Sequence, residues 1–433
     1  MTPLLITGGR VIDPSRGSDG LADVFIENGK IAAVGRNIAA ESGVRRIDAR
    51  GKVVAPGLVD LHVHFREPGQ EHLETIATGA MSAVAGGFTA VCAMPNTDPV
   101  IDNQAAVGFV VRQAIRAGKA RVHPIGCISV GQRGQQLAEF GEMVAAGAVA
   151  VSDDGHPVVS SQLMRTALEY AKTFGIPVAD HCEDPTLSLA GAMHEGIVST
   201  RLGLKGIPSA AEEVMVARDL ILAGLTGGHI HLCHISTKGS VELIRRAKDR
   251  GVNVTAEATP HHFSLTHDCC EGYNTNAKVS PPLREELDRA AVREGLRDGA
   301  IDCIATDHAP HHYDTKQREF DDAPNGIIGL ETALGVGVTE LVETGLLSLP
   351  ELVARMSTVP ARIFHLTGGT LAVGATADLV IFDPKRRWTV RASDLHSKSA
   401  NSPYLGRELT GRADLTTVAG RVVFDRGSDT PDA

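Results

Sequence analysis

The sequence predicts an α/β protein whose main part is a (β/α)8 barrel, accompanied by a small second domain formed by both chain ends. Through the middle of the chain, an apolar strand, a short loop and an amphipathic helix follow one another repeatedly. Such alternation is typical of a parallel sheet with crossover helices, and eight units over roughly 300 residues fit a barrel with insertions. The two chain ends are rich in β-strand patterns and lie outside the barrel, so we expect them to meet.

Short alternating patterns mark the strands at the chain ends. Apolar and polar residues alternate in LLITGGRVID and ADVFIENGKIAAVG near the start, and in TADLVIFD and LTTVAGRVVFD near the end. This period of two is the pattern of half-buried strands. The predicted boundaries are 1–54 and 367–433 for the two parts of the small domain, and 55–366 for the barrel.

Eight apolar segments are candidates for the barrel strands. In chain order they read GLVDLHVH, TAVCAMPN, ARVHPIGCIS, AVAVSDDG, PVADHCED, HIHLCHIST, VNVTAEATPHH and IDCIATDHAP. Helical patterns separate them, for example SSQLMRTALEYAKTFG and AAEEVMVARDLILAGLTG. Both of these end in the glycine that commonly follows a helix.

The composition argues against a nucleic-acid-binding, membrane-bound or disulfide-stabilised protein. The chain has 433 residues, is 43% hydrophobic and carries a net charge of −10 with no basic block, so nucleic acid and anionic membranes are poor partners. The start resembles no signal peptide, and no apolar run approaches the roughly 18 residues of a membrane span. The seven cysteines include no C-x-x-C pair, which favours reduced thiols and a cytoplasmic location.

The segment VDLHVHFREPG, residues 59–69, contains two histidines two positions apart. In a strand, residues i and i+2 point to the same face, so His62 and His64 project together. An H-x-H pair alone is weak evidence for a metal, because histidines often pack in a core. Its position matters more, since the active sites of such barrels form at the carboxyl ends of the strands.

Metal-ligand residue types occur at the carboxyl ends of five predicted strands. Nitrogen and oxygen ligands without thiolate suit zinc or another borderline divalent ion. Four histidines and two aspartates exceed one tetrahedral shell, but they can hold two ions if one carboxylate bridges them. The residues are His62 and His64 on the first strand, Asp153 or Asp154 on the fourth, His181 on the fifth, His234 on the sixth and Asp307 on the eighth.

Several other histidines need a different interpretation. His229 and His231 form a second H-x-H pair, but they lie early in their strand, at the wrong end of the barrel, and indicate packing or support. His123 lies in mid-strand and indicates a core or supporting position. Strict alternation places His234 on the face opposite His231, so a ligand role for His234 requires a bulge or twist at the strand end.

Two ambiguities remain open from position alone. His261 and His262 close the seventh strand and compete with the other histidines as ligands. Asp153 competes with Asp154 for the bridging role, because both follow the fourth strand directly. Residue type and spacing do not separate these alternatives.

Six segments together resemble dihydroorotase, a member of the amidohydrolase superfamily, and specifically its bacterial single-function type. The resemblance implies a distorted barrel carrying a small β-sandwich, and the reversible cyclisation of N-carbamoyl-L-aspartate to L-dihydroorotate in pyrimidine synthesis. The segments are DLHVHFREPG at 60–69, AMPNTDP at 93–99, DHCED at 180–184, HIST at 234–237, ATDHAPHHYDTK at 305–316 and PNGIIGLET at 324–332.

The resemblance also implies the metal ligands and the mechanism. The ligands of the family fall on His62, His64, Asp154, His181, His234 and Asp307. Many amidohydrolases bridge their metals with a carbamylated lysine, but the fourth strand has none, so Asp154 is expected to bridge two Zn²⁺ ions per chain. The expected mechanism is attack by metal-activated hydroxide on the ring amide, with Asp307 as the proton shuttle.

Substrate contacts are carried over in the same way, and two positions depart from the family pattern. Ser280 in VSPPLR stands where the family often has asparagine, and Asn325 stands where it commonly has an aromatic or apolar residue. An arginine fork matches a carboxylate, which suits Arg66. The full set of expected contacts is His64, Arg66, Asn96, Ser280, His311, Asn325 and Gly326.

Two other functions fit the same resemblance less well. An allantoinase or dihydropyrimidinase is disfavoured by the absent lysine and by the arginine of FREPG. A non-catalytic dihydroorotase-like subunit of aspartate transcarbamoylase is disfavoured because all six ligand positions are kept. The expected partners are the small-molecule substrate and a second copy in a homodimer, with association with aspartate transcarbamoylase as a further expectation.

Overall fold

A computed structural model describes residues 2–39 and 43–427. Within these ranges the strands are β1 (Leu4–Asp13), β2 (Ser18–Glu27), β3 (Lys30–Gly35), β4 (Arg45–Asp48), β5 (Val53–Pro56), β6 (Leu58–Val63), β7 (Phe88–Ala93), β8 (Arg121–Pro124), β9 (Val178–Asp180), β10 (Met193–His194), β11 (Gly206–Ile207), β12 (Ile230–Leu232), β13 (Val254–Ala258), β14 (Cys303–Ile304), β15 (Leu379–Thr389), β16 (Glu408–Val418) and β17 (Arg421–Asp425).

The α-helices connect the barrel strands and follow the last of them. They are α1 (Ile76–Gly86), α2 (Gln104–Ala117), α3 (Phe140–Ala146), α4 (Ser161–Phe174), α5 (Pro185–Ser188), α6 (Ile197–Leu202), α7 (Ala210–Thr226), α8 (Lys238–Asp249), α9 (Pro260–Ser264), α10 (Glu286–Asp298), α11 (Tyr313–Lys316), α12 (Ala333–Gly337), α13 (Leu349–Val353) and α14 (Val359–Ile363). No helix of the described residues is long and apolar enough to cross a membrane.

Helices α4 and α7 confirm the two helices predicted from their patterns. The Ser160 side chain accepts a hydrogen bond from the Leu163 backbone N–H and so caps the start of α4. Gly175 and Gly227 follow the two helices with φ of 67° and 68°. This left-handed conformation is the one that glycine adopts without a Cβ clash, which explains where both helices end.

The barrel closes through eight parallel segments. Strands β6, β7 and β8 pair in order, as do β9, β12, β13 and β14. Val151 joins the two groups by bridging to Gly126 on one side and Val178 on the other, and a bridge between Val63 and His308 closes the ring. The predicted distorted barrel is therefore confirmed.

The fourth barrel segment is shorter than the strand expected from AVAVSDDG, because its backbone hydrogen bonds to the neighbouring segments run only from Val149 to Ser152, with Val151 as the one bridged residue. Past Val151, the Asp153 carboxylate accepts hydrogen bonds from the backbone N–H groups of Ile128 and Ser129 at 2.9 and 3.1 Å, and from the Ser129 hydroxyl. Since a side chain takes these donors, the backbone ladder ends there. The distortion leaves the next residue, Asp154, at the mouth of the barrel.

The small β unit combines both chain ends in one sheet. Its strand order is β17-β16-β15-β5-β1-β2-β3, with β4 paired to β1. A separate apolar core includes Leu4, Ile6, Val24, Leu379 and Ile381. The predicted β-sandwich from both ends is thus observed, while the exact boundaries stay predictions, the first of them falling inside β5.

Apolar side chains fill the barrel interior below the site. They include Val59, Leu61, Cys92 and Ala179 from the strands, together with Phe364 just after α14. Strands β6 and β7 are buried along their whole length, as expected when helices cover one face and packed side chains the other. A filled interior leaves only the ends of the barrel for a polar site.

Candidate metal centre

All six predicted ligands meet at the carboxyl end of the barrel. They follow or end strands that the chain separates by up to 245 positions, and each is at most 6% exposed. Nothing in their local sequence brings them together, since only barrel closure places these strand ends side by side. The residues are His62, His64, Asp154, His181, His234 and Asp307.

Asp154 lies at the middle of the cluster. Its Oδ1 is 3.5 Å from His62 Nε2 and 3.6 Å from both His181 Nδ1 and His234 Nε2. Its Oδ2 is 3.5 Å from His64 Nε2. The two oxygens of one carboxylate therefore face histidines on both sides of the cluster.

Two overlapping groups of ligand atoms form around this carboxylate. One contains His62, His64 and Asp307, and the other contains His62, Asp154 and His234, with the ligand atoms of each group within 4.8 Å of one another. Asp307 Oδ1 lies 2.9 Å from His64 Nε2 and 3.5 Å from His62 Nε2. His181 Nδ1 lies 2.9 Å from His234 Nε2.

The donor atoms fit divalent cations. His62 Nε2 and Asp154 Oδ1 are buried without any hydrogen-bond partner. Buried polar atoms are rarely left unpaired, because an unsatisfied group costs roughly 1–3 kcal/mol. A cation between the imidazole and the carboxylate satisfies both atoms at once, with ligand types that suit zinc.

The charges in the cluster also favour a bound cation. Burial opposes ionisation of Asp154, but His62 and the other histidines outweigh it and hold its pKa well below the usual range. Burial likewise opposes protonation of His181, yet Asp154 and Glu183 raise its pKa to about 10. The carboxylates thus attract positive charge to this point.

Partners behind the ligands hold the imidazole rings in place. His62 Nδ1 lies 2.8 Å from Glu257 Oε1, and Glu257 Oε2 lies 3.1 Å from His231 Nε2. His64 Nδ1 lies 2.9 Å from Asn96 Oδ1. A proton on each Nδ1 donates to these oxygens and leaves Nε2 free for a metal. His231 therefore has the supporting position predicted for it.

In the fold, Asp153 and His262 are both engaged by groups outside the cluster. Asp153 is committed to the hydrogen bonds that end the fourth segment, whereas Asp154 faces the histidines. His262 uses both ring nitrogens, 2.8 Å from Thr259 Oγ1 and 2.9 Å from Pro281 O. His261 is buried beside it with an unpaired Nε2.

The backbone of His234 supplies the twist that its predicted role requires. Its φ is 34°, in the left-handed region that non-glycine residues rarely adopt. Asp307 and Arg66 share this conformation, with φ of 46° and 61°. Such strained residues often mark functional sites, and here they turn side chains toward the cluster that regular strands would aim elsewhere.

A cavity of about 270 Å³ opens above the cluster. All of the predicted substrate contacts line it, together with Glu183, which the sequence interpretation overlooked. Glu183 lies two residues after His181, and the same-face spacing that drew attention to His62 and His64 was available there as well. Those predicted contacts are His64, Arg66, Asn96, Ser280, His311, Asn325 and Gly326.

Arg66 is a buried cation in the wall of this cavity. Its Nε donates to the Pro310 carbonyl at 3.2 Å, and its Nη2 lies 3.3 Å from His311 Nε2. Burial lowers the pKa of Arg66 only to about 10, so the guanidinium stays charged at neutral pH. Burial and Arg66 together lower the pKa of His311 to about 2, so this imidazole is neutral.

Ser280 and Asn96 contact protein groups as well as lining the cavity. The Ser280 hydroxyl donates to Glu183 Oε2 at 2.9 Å. The Asn96 amide donates to Asp154 Oδ2 at 3.2 Å while its oxygen faces His64. Asn96 thereby links two of the six predicted ligands, His64 and Asp154. Ser280 holds the Glu183 carboxylate, which faces a third, His181.

A model of the Dihydro-orotase-like family matches residues 51–240, and a model of the amidohydrolase family matches residues 223–424. The chain is 55% identical over 423 residues to a dihydroorotase of Pelobacter propionicus, covering 98% of this chain and 100% of the relative. It is 54% identical to a dihydroorotase of Geobacter metallireducens with the same coverage. The chain belongs to the dihydroorotase family. The sequence-based recognition of this family is confirmed.

Solved structures with a fold similar to this dihydroorotase family member include a hydantoinase and a dihydropyrimidinase. The L-hydantoinase (dihydropyrimidinase) from Arthrobacter aurescens superposes with a TM-score of 0.88 at 29% identity, covering 98% of this chain and 97% of that structure. The dihydropyrimidinase from Brevibacillus agri gives 0.86 at 24% identity, covering 98% and 95%. These likenesses confirm the barrel with its β-sandwich.

Proposed function

We propose that this chain is a dihydroorotase that catalyses the reversible cyclisation of N-carbamoyl-L-aspartate to L-dihydroorotate. The observation that carries the proposal is one cavity with two features: ligand-type side chains gathered around Asp154, and the buried Arg66 guanidinium beside them. The substrate is a ring amide with a carboxylate. Its hydrolysis requires an activated water, and its binding requires a cation.

We propose two divalent ions, zinc in the first instance, with Asp154 between them. The support is the position of the Asp154 oxygens, which face His62, His181 and His234 on one side and His64 on the other. Bound there, such ions would supply the Lewis acidity that activates a water and polarises the amide carbonyl. The remaining steps belong to the side chains of the protein.

Arg66 is suited to hold the substrate's carboxylate. A guanidinium presents two parallel N–H donors to a carboxylate, and burial strengthens the interaction because water does not compete. The neutral His311 beside it donates from Nε2 to the Asn325 carbonyl at 2.7 Å. This hydrogen bond orients the ring, and with Nε bound to the Pro310 carbonyl the terminal N–H groups of Arg66 remain for the substrate.

We assign the proton transfer to Asp307. In ring opening its carboxylate accepts a proton from the attacking water and delivers it to the ring nitrogen that leaves the carbonyl carbon. In ring closure the protonated carboxyl returns the proton to the departing water oxygen. Burial opposes its ionisation, but His62 and His64 hold the pKa of Asp307 below the usual range, so it is ionised at neutral pH and able to accept.

The variant Asp307→Asn tests this role. An amide cannot accept and return a proton, so both ring opening and ring closure should lose at least about 100-fold in rate. Rates in both directions are to be measured together with metal content. Near-normal turnover with metal bound would remove Asp307 from proton transfer.

The function as a whole is tested by the ring opening of dihydroorotate, followed spectroscopically. We expect turnover that a chelator abolishes and zinc restores, with at least one zinc per chain by metal analysis of protein purified without chelator. Turnover without bound metal would contradict the metal assignment. Because a hydantoinase has a similar fold, hydantoin and dihydrouracil serve as competing substrates, and preference for either would contradict the substrate assignment.

Assembly and location stay predictions from the sequence. We expect a homodimer, association with aspartate transcarbamoylase and a cytoplasmic location. The expected location rests on the cysteines: all seven are free, and six of them are buried. Analytical ultracentrifugation of the chain alone, and with aspartate transcarbamoylase, tests the first two. A monomer that sediments independently of the transcarbamoylase would contradict both.

A further inference from the structure

The strap, defined here as residues 396–402, crosses from the small β unit to the mouth of the barrel. It lies between β15 and β16, so it belongs to the chain segment that builds the β-sandwich. The Ser397 hydroxyl donates to the buried Glu74 carboxylate, and the Ser399 hydroxyl donates to the Leu73 carbonyl at 3.0 Å. These contacts fix the strap against the loop that follows Arg66.

Asn401 is the point at which the strap meets the cavity wall. It is 4% exposed, and its side-chain oxygen accepts a hydrogen bond from the His311 backbone N–H at 3.0 Å. Its amide nitrogen donates to the carbonyls of Ala309 and Gly326, both at 3.0 Å. Its own carbonyl accepts from the Ile328 N–H at 3.0 Å. One residue therefore joins two segments that line the cavity.

We propose that Asn401 is a positioning residue for substrate binding. By tying residues 309–311 to Gly326 it holds Arg66, His311 and the Gly326 backbone in one arrangement around the substrate's carboxylate. The inference rests on the proposed function, because it concerns the wall of the same cavity. It adds a residue from the β unit to a site otherwise built from the barrel.

Asn401 and Arg66 hydrogen-bond to the same short backbone segment, residues 309–311. Arg66 Nε donates to the carbonyl of Pro310, which lies between the two residues that Asn401 contacts directly. A shift of this backbone therefore moves the anchor of the guanidinium. The two segments also pack closely at Gly326. A Cβ at this position would lie 2.7 Å from both the Ala309 carbonyl oxygen and the His311 ring, so the backbone there has no room to approach further.

The groups around the Asn401 side chain require the hydrogen-bonding pattern of an amide. Two carbonyl oxygens require a donor, and one backbone N–H requires an acceptor, so the amide satisfies all three with opposite ends of one planar group. An aspartate of the same shape would still accept from His311 but would place carboxylate oxygen against two carbonyl oxygens. An alanine would leave all three groups unpaired in a buried place.

The test compares Asn401→Ala and Asn401→Asp with wild type in dihydroorotate ring opening. We expect KM to rise about 10-fold or more while kcat falls less, because binding geometry is lost and the metal ligands are untouched. Metal content should be unchanged. The inhibition constant of dihydrouracil, which has the same ring without the carboxylate, should stay within about 3-fold of wild type, since it does not use Arg66.

Ser399→Ala is the matched control. Ser399 lies on the same strap and is 6% exposed, but it bonds the Leu73 carbonyl and none of the cavity segments. It should lower the melting temperature without raising KM. Equal KM values for Asn401→Ala, Ser399→Ala and wild type would overturn the proposal, as would failure of both Asn401 variants to fold, which would make Asn401 structural. A wild-type enzyme inactive on dihydroorotate would instead defeat the proposed function.

Discussion

Asp153 and Asp154 are neighbours in the chain but face different surroundings. The Asp153 carboxylate accepts backbone and hydroxyl hydrogen bonds from Ile128 and Ser129, and burial raises its pKa to about 6. The Asp154 carboxylate faces histidines, and its pKa is held well below the usual range. At the scale of single residues, one aspartate therefore ends a strand while the other is suited to hold cations.

Asp154→Ala should remove the central anion of the cluster. Two nearby cations are then poorly screened from each other, so at least one metal should be lost and kcat/KM should fall by more than about 100-fold. Metal analysis and circular dichroism check that the loss is chemical and that the fold persists. Asp153→Asn is the control and should keep its metal; full metal content in Asp154→Ala would place the bridge elsewhere.

Among the elements, the segment after α11 is held by two buried lysines that pair with carbonyl groups. Lys316 Nζ donates to the Pro324 carbonyl at 2.8 Å, and Lys278 Nζ donates to the Phe320 and Asp321 carbonyls at 2.7 and 2.9 Å. Burial, with a further contribution from Lys278, lowers the pKa of Lys316 from 10.5 to about 7. Lys316 Nζ thus fastens the segment that ends at the cavity, and it donates to the carbonyl oxygens of Lys278 and Pro324.

Lys316 should make stability depend on pH above neutrality. Between about 7 and 10.5 the unfolded chain binds the Lys316 proton and the folded chain releases it, so the free energy of unfolding should rise with pH. Urea unfolding at pH 7 and pH 9 measures this slope. Lys316→Met should flatten it, whereas Lys172→Met, at an exposed lysine, should not. An unchanged slope in Lys316→Met would show that its proton is retained on folding.

At the scale of the whole molecule, the β unit and the barrel are joined by buried polar contacts. Arg121 of β8 forms an ion pair with Asp378, just before β15, with Nε 3.0 Å from Oδ2. The Asp378 side chain is 1% exposed and also accepts from the Ala419 N–H at 2.6 Å. The Thr416 hydroxyl donates to the Val84 carbonyl at 2.7 Å. The two units should therefore unfold together.

Asp378→Ala should lower the free energy of unfolding by roughly 1–3 kcal/mol, because it removes the buried acceptor of the partly buried Arg121 and Ala419 donors. Calorimetry should show one transition at a lower temperature. Asp48→Ala, which removes an exposed ion pair with Arg50, should leave that temperature unchanged. Two separate transitions in the Asp378 variant would mean that the units are coupled mainly through this contact.

Much of the molecule could be predicted from local patterns. Strand and helix periods identified the barrel and the two β-rich ends, because burial imposes its period wherever an element packs. The six candidate ligand positions could be predicted because the carboxyl ends of parallel strands share one edge, so residue type at a strand end is informative without any coordinates. The family resemblance then selected Asp154 over Asp153 by analogy.

Only the tertiary structure decided which of these side chains face each other. Asp153 turns to Ser129, and His234 turns inward through a left-handed backbone; both depend on neighbours in other strands. Glu257 behind His62 and Asn401 beside His311 are 195 and 90 positions away from their partners. No local period encodes such pairs. The chain's own sequence determined the elements and the ligand types, while closure of the barrel and docking of the strap determined the geometry of the site.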